Sequence, residues 1–252
     1  MKKTILLGLV GLSAMTLAAC SNGQSSKETT WDNIKKDGVL KVATPATLYP
    51  TSYYDDHKKL TGYEIDMMKA IAKKLKIKVK FVEVGVAESF TSVDSGKVDV
   101  AVNNFDTTPE RLKKYNFSQP YKYSVGGMIV RADGSSKITA KDLSDWKGKK
   151  AGGGAGTQYM KIAKQQGAEP VKYVTKQYPD IKVKMGDVKY NPTEQGIVMS
   201  KKDKSLKTKI DAAIKDMKKD GSLKKISEKY YAGQDLTKEP AGTDKIPVIK
   251  VK

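Results

Sequence analysis

The chain has 252 residues, 38% apolar and 30% charged, with 47 Lys and Arg against 28 Asp and Glu and a formal net charge of +19. That length and balance allow one large domain or two lobes with apolar cores of their own. A single cysteine and a single histidine exclude an intramolecular disulfide framework and a zinc finger, and any Ser-His-Asp or Cys-His chemistry would have to use His57. Acid–base work would otherwise fall to carboxylates, lysine or tyrosine. Arg111 and Arg131 are the only arginines, and the other basic residues are lysines spread along nearly the whole chain. Readers of nucleic-acid sequence depend on arginine forks and clustered charge, so this pattern reads instead as a solvated basic surface.

In chain order, residues 1–19 have the form of a secretory signal peptide. Lys2 and Lys3 make the charged start, Ile5 to Leu17 the apolar stretch, and small residues follow. Leu17-Ala18-Ala19-Cys20 resembles the bacterial lipobox, which implies lipidation at Cys20 and a mature chain tethered outside the cytoplasm by a flexible linker over 20–30. That placement excludes nucleic acid as a natural partner. From Trp31 strand and helix patterns alternate, which predicts an α/β fold. Gly38–Ala43 reads as a strand. Thr61-Gly62-Tyr63-Glu64 reads as a capping box with Thr61 at the N-cap, opening a helix that buries Ile65, Met68, Ala72 and Leu75. Ile77–Phe81 alternates as a strand, a short helix is expected around 89–94, and Val98–Val102 reads as a covered parallel strand.

Thr108-Pro109-Glu110-Arg111 places threonine at an N-cap and proline at the first helical position, so Arg111 falls in a first helical turn. Tyr123–Arg131 is a strand leading out of this segment. A second α/β segment starts near Thr139: Lys147–Ala151, the glycine run 152–156 before Thr157 and Gln158, a helix through Tyr159 and Ile162, and a strand at Val171–Val174. The glycine run fits neither a dinucleotide fingerprint nor a phosphate loop, so no nucleotide or other cofactor is expected. Ser205 is expected to cap a helix with Leu206, Ile210, Ala213, Ile214 and Met217 on one stripe and Gly221 at its end. Residues 232–252 read as a polar tail, either late to order or floppy, with one alternating piece at Ile246–Ile249.

The order of Gly38-Val39-Leu40-Lys41-Val42, Leu60–Asp66, Ser95–Asp99, Thr108–Arg111, Asn116–Tyr121, Lys147–Lys150, Gly156-Thr157 and Lys219–Leu223 resembles the bacterial extracellular solute-binding proteins of family 3. The resemblance implies a two-lobed, type II periplasmic-binding-protein-like α/β fold, with 31–125 plus 200–231 as the first lobe and 126–199 as the second. It implies a ligand cleft between the lobes, no enzymatic activity, a polar amino acid as ligand, an ABC permease and ATPase as partners, and a monomer. Arg111 would hold the ligand carboxylate, with Thr157 and Gln158 from the other lobe. Tyr49, Tyr53, Asn104 and Thr108 would line the site, and no metal is implied. A surface ion pair would also account for Arg111, and an ordinary helix cap for Thr157.

Two departures stand out. Asp106 occupies a position where the family has Thr or Ser, and a carboxylate there would either repel a ligand carboxylate or hold an ammonium. Only 175–185 separate Val174 from Gly186, too few for the further helix and strand the family carries, so the second lobe is expected to be shortened. The alternative function is therefore a surface lipoprotein that kept the fold while its ligand binding was lost or weakened.

Overall fold

The computed structural model describes residues 30–135, 146–152, 158–171 and 183–248. The first lobe is built on a five-stranded sheet of β1 (Val39–Thr44), β4 (Lys78–Glu83), β5 (Val100–Ala101), β6 (Tyr115–Phe117) and β11 (Val198–Ser200), in the order β4-β1-β5-β11-β6. β1 runs parallel to both β4 and β5, while β11 is antiparallel to β5 and β6. One face is covered by α1 (Thr30–Asp37), α2 (Tyr63–Lys74), α6 (Lys204–Lys219) and α7 (Ser222–Tyr230), which share a core with Leu40, Val42, Val100 and Met199. The other face packs α3 (Val86–Asp94) over Ala43, Ala101, Phe105 and Val198. The expected stripe of α6, from Leu206 to Met217, is buried throughout. Each such aliphatic side chain removed from water contributes about 1.5–3 kcal/mol.

Helix starts differ from the sequence reading in two places. α2 begins at Tyr63 with Gly62 at its N-cap and no side-chain cap, so Thr61 and Glu64 do not form a capping box. The cause is tertiary. Gly62 sits at φ 127 with its backbone against Thr51, where an added Cβ would lie 2.4 Å from the Thr51 carbonyl oxygen. Thr61 is thereby left in β3 (Leu60–Thr61), paired with β2 (Tyr53–Tyr54). α6 starts at Lys204 with Asp203 at its N-cap, rather than at a Ser205 cap, and the Asp203 carboxylate accepts a hydrogen bond from Thr30.

Two long strands leave the first lobe side by side, β7 (Lys122–Arg131) and β10 (Val183–Gln195). They are antiparallel, with register irregularities between Met185 and Lys189 and between Tyr190 and Pro192. Beyond them, β8 (Lys150–Gly152) pairs parallel with β9 (Glu169–Val171), and α5 (Gln158–Gln165) packs Ile162 and Ala163 against Trp146, Ala168 and Tyr190. Of the strand expected at Val171–Val174, Val171 belongs to β9, and residues 172–174 lie outside the described residues. Of the two readings of the tail, ordered or floppy, residues 232–248 follow the ordered one and are held on the crossing strands: the Tyr123 N–H donates to the Leu236 carbonyl at 2.8 Å, and the Asn191 N–H to the Pro247 carbonyl at 2.8 Å. Hydrogen bonds between distant backbone segments carry no local sequence signature, which is why composition alone left the choice open. Among the described residues no helix is long and apolar enough to cross a membrane.

Candidate functional site

In an open α/β sheet, ligands collect beyond the carboxyl ends of the parallel strands. Here those ends are the exit of β1, which leads to Tyr49 and Tyr53, and the exit of β5, which leads through 102–108 into α4 (Pro109–Lys114). The local reading of α4 holds: Thr108 is the N-cap, its hydroxyl accepts from the Arg111 N–H at 3.3 Å, and Pro109 opens the helix. The Arg111 guanidinium lies over two aromatic faces, 5.3 Å from the Phe90 ring centre and 5.6 Å from that of Phe105. Its Nη1 donates to the Asp106 carbonyl at 2.9 Å. Burial pushes its pKa down, opposed by Asp106 and Glu110. An arginine so placed stays charged and presents a rigid fork, a geometry suited to a carboxylate.

Asp106 is 7% exposed, and its Oδ1 accepts from Gln195 Nε2 at 2.8 Å. Asn104 adopts a left-handed backbone, φ 54, which turns its N–H onto Glu64 Oε1 at 2.6 Å. The same carboxylate oxygen accepts from the Tyr121 hydroxyl, and Glu64 is fully buried. Burial raises the Glu64 carboxyl above its ordinary range, countered by Tyr121, the Asn104 N–H and Lys122. Lys122 is itself buried, with Nζ 3.4 Å from the Tyr231 hydroxyl. Its pKa is pushed down by burial and supported by Glu64 and Asp106. Tyr49 and Tyr53 meet edge to face at 4.8 Å, and Tyr49 is 74% exposed.

From the second lobe, Tyr159 of α5 feels the charge of Asp106. Burial and the Asp106 charge push the Tyr159 phenol up to about 12. The Glu110 carboxyl, held low first by its own backbone N–H and then by Thr108, also feels Lys161. The structure thus brings Arg111, Asp106, Asn104 and Thr108 together on one loop, with Tyr49 and Tyr53 on the neighbouring one. Gln158 is the first residue of α5, and Thr157 and Cys20 lie outside the described residues. Sequence reasoning missed Gln195, Glu64 as an interior carboxylate, Lys122 and Tyr159. Of these, Glu64 stood in a pattern that assigned it to the wrong task, and Tyr159 was read only as part of a helix. Among the described residues no cluster of His, Cys, Asp or Glu is suited to a metal ion.

Two α/β lobes joined by a pair of crossing strands, with polar side chains gathered at the carboxyl ends of the first lobe's parallel strands, define a solute-binding receptor. The sequence profile of the bacterial extracellular solute-binding proteins, family 3, matches residues 40–233, and the chain belongs to that family. It is 40% identical to "Probable ABC transporter extracellular-binding protein YckB" of Bacillus subtilis over 94% of each chain. It is 31% identical to the L-cystine-binding protein TcyA of the same organism, over 94% of this chain and all of that one. The crystal structure of YckB superimposes with a TM-score of 0.75 at 39% identity, covering 88% of this chain and 100% of that chain.

Proposed function

We propose that the protein is a lipid-anchored receptor on the outer face of the cell membrane that captures a polar amino acid and delivers it to an ABC permease and its ATPase. The observation that carries the reading is Arg111, one of two arginines in a lysine-rich chain, stacked on Phe90 and Phe105 at the exit of a parallel strand. That pre-organised fork takes the solute carboxylate, and the edge-to-face pair of exposed Tyr49 and half-buried Tyr53 offers an aromatic wall to the side chain. Capture proceeds by bending at β7 and β10 so that α5 closes over the first lobe. Only contacts made better in the closed state drive that motion. No step requires a nucleophile or a general base, so the reading is a binding protein and not an enzyme.

A second reading, a surface lipoprotein with weakened binding, is favoured by one observation. The match to YckB runs over 272 aligned positions, more than the 252 residues of the whole chain, so the relative has positions without counterpart here. The β8–β9 sheet has two strands among the described residues. The experiment that separates the readings is a thermal-shift and calorimetry screen of the twenty amino acids and L-cystine: a stabilising solute supports the receptor, and a flat screen supports the second reading. The anchor is tested by metabolic labelling with a fatty-acid analogue. Wild type labels and Cys20→Ala does not, whereas equal labelling of both refutes the anchor.

A further inference from the structure

We propose that the end of the first lobe opposite the cleft, where every strand of the sheet starts or stops beside an exposed lysine, is a docking face for the anionic phospholipid headgroups of the bilayer to which the chain is tethered. The assignment rests on the lipid-anchored reading and extends it from the anchor to the folded domain.

The topology gathers the charge. β1, β4, β5 and β6 run in one direction and β11 runs against them, so the starts of four strands and the end of the fifth lie together. Lys36 precedes β1, Lys78 opens β4, Lys97 precedes β5, Lys114 precedes β6 and Lys202 follows β11, and all five are exposed. Lys35, Lys76, Lys113 and Lys204 stand beside them, also exposed. Among the described residues none of these lysines forms an ion pair, whereas Lys69, Lys74, Lys207, Lys224 and Lys229, on the covering helices, each meet a carboxylate. The acids at this end are largely occupied within the fold. Asp99 Oδ2 accepts from the Lys41 N–H at 2.7 Å, Asp94 from the Tyr115 hydroxyl at 2.7 Å, and Asp203 from Thr30. With Asp32 and Asp37 the acids number five, against nine lysines.

The opposite end of the lobe has the other sign. The segments leaving β1, β4 and β5 carry Asp55, Asp56, Glu83, Glu88, Asp106 and Glu110 against Lys58 and Lys59. Such an asymmetry turns a molecule over an anionic surface with its basic end down. The tether leads to that same end: Thr30, ten residues after Cys20, opens α1 and is hydrogen-bonded to Asp203 just beyond β11. Ten residues reach at most about 35 Å, so an acyl chain on Cys20 keeps the basic end near the headgroups. Contact then brings the lysines within the screening distance of about 8 Å. Each lysine near such a surface adds to the attraction, and an anchor combined with a basic face holds better than the anchor alone. Seated this way, the receptor opens its cleft to the medium during capture.

The test is vesicle co-sedimentation of residues 20–252 made without acylation, so that the anchor plays no part. Vesicles hold phosphatidylcholine alone or with about 40% phosphatidylglycerol, an anionic lipid. One variant combines Lys36→Gln, Lys78→Gln, Lys97→Gln, Lys114→Gln and Lys202→Gln. A control of equal charge change combines Lys58→Gln, Lys59→Gln, Lys147→Gln, Lys150→Gln and Lys164→Gln. The expected result is that wild type binds the anionic vesicles and not the neutral ones, and that about 0.5 M salt releases it, a measurement that needs no substitution. The first variant should bind at least about tenfold more weakly and the control less than about threefold. Equal losses in both variants overturn the docking face. So do binding to neutral vesicles, retention in high salt, or no binding of wild type to anionic vesicles. Binding of wild type to poly(glycerol phosphate) in solution but not to the vesicles assigns the face to a wall polymer and overturns the lipid assignment. Fatty-acid labelling of Cys20 decides the anchor separately, so either reading can fail alone.

Discussion

Replacing Arg111 isolates the chemistry of the cleft from the stability of the lobe. In Arg111→Ala the Asp106 carbonyl loses a charged donor 2.9 Å away, an interaction worth about 1.5–3 kcal/mol. The rings of Phe90 and Phe105 also lose a cation resting on their faces, worth about 0.5–2 kcal/mol at a partly desolvated site. Part of this is offset because the guanidinium no longer has to be desolvated, so urea denaturation should show a loss of about 1–3 kcal/mol. Affinity for a carboxylate-bearing solute should fall further, by about 2–5 kcal/mol, because a buried charge pair is broken. Arg111→Lys discriminates between charge and shape: a lysine ammonium can still reach one acceptor but cannot stack on two rings or present a fork. It should recover most of the stability and little of the affinity. Calorimetry showing unchanged affinity for Arg111→Ala, with any stability loss confined to denaturation, would refute the anchoring role.

Two further outcomes follow from packing and burial. Gly62→Ala places a Cβ 2.4 Å from the Thr51 carbonyl oxygen at φ 127 and should cost about 2–4 kcal/mol in urea denaturation. Gly96→Ala, at φ 72 with open space around it, should cost about 1–2 kcal/mol, and equal losses would contradict the close approach. For Glu64 the folded carboxyl is raised by burial, so its contribution to stability is fully present below the ordinary carboxyl range and is lost as pH rises through the elevated value. The stability of wild type relative to Glu64→Gln should therefore fall as pH rises above the ordinary carboxyl range, as read by denaturation midpoints; a rising difference would reverse the assignment.

What was legible in the sequence was what local chemistry dictates. Thr108 and Pro109 announce the start of α4, the α6 stripe announces its buried face, and the lone arginine of that first turn announces a fork. Glu64 was misread because a Thr-x-x-Glu pattern is silent about whether its backbone meets Thr51; that contact makes Gly62 the cap and turns the carboxylate inward. Gln195 was invisible because its partner Asp106 lies 89 residues earlier and meets it only through an isolated antiparallel bridge between the two residues. The docking of 232–248 on the same strands is likewise a long-range property, set by backbone hydrogen bonds that side-chain identity does not encode.

The central claim is that this cleft captures an amino acid, and calorimetric titration of residues 20–252 with the twenty amino acids and L-cystine tests it most directly. The account predicts saturable one-to-one heat for at least one polar amino acid, abolished in Arg111→Ala. An absence of heat for every amino acid in wild type, from a chain whose denaturation is cooperative, would contradict it.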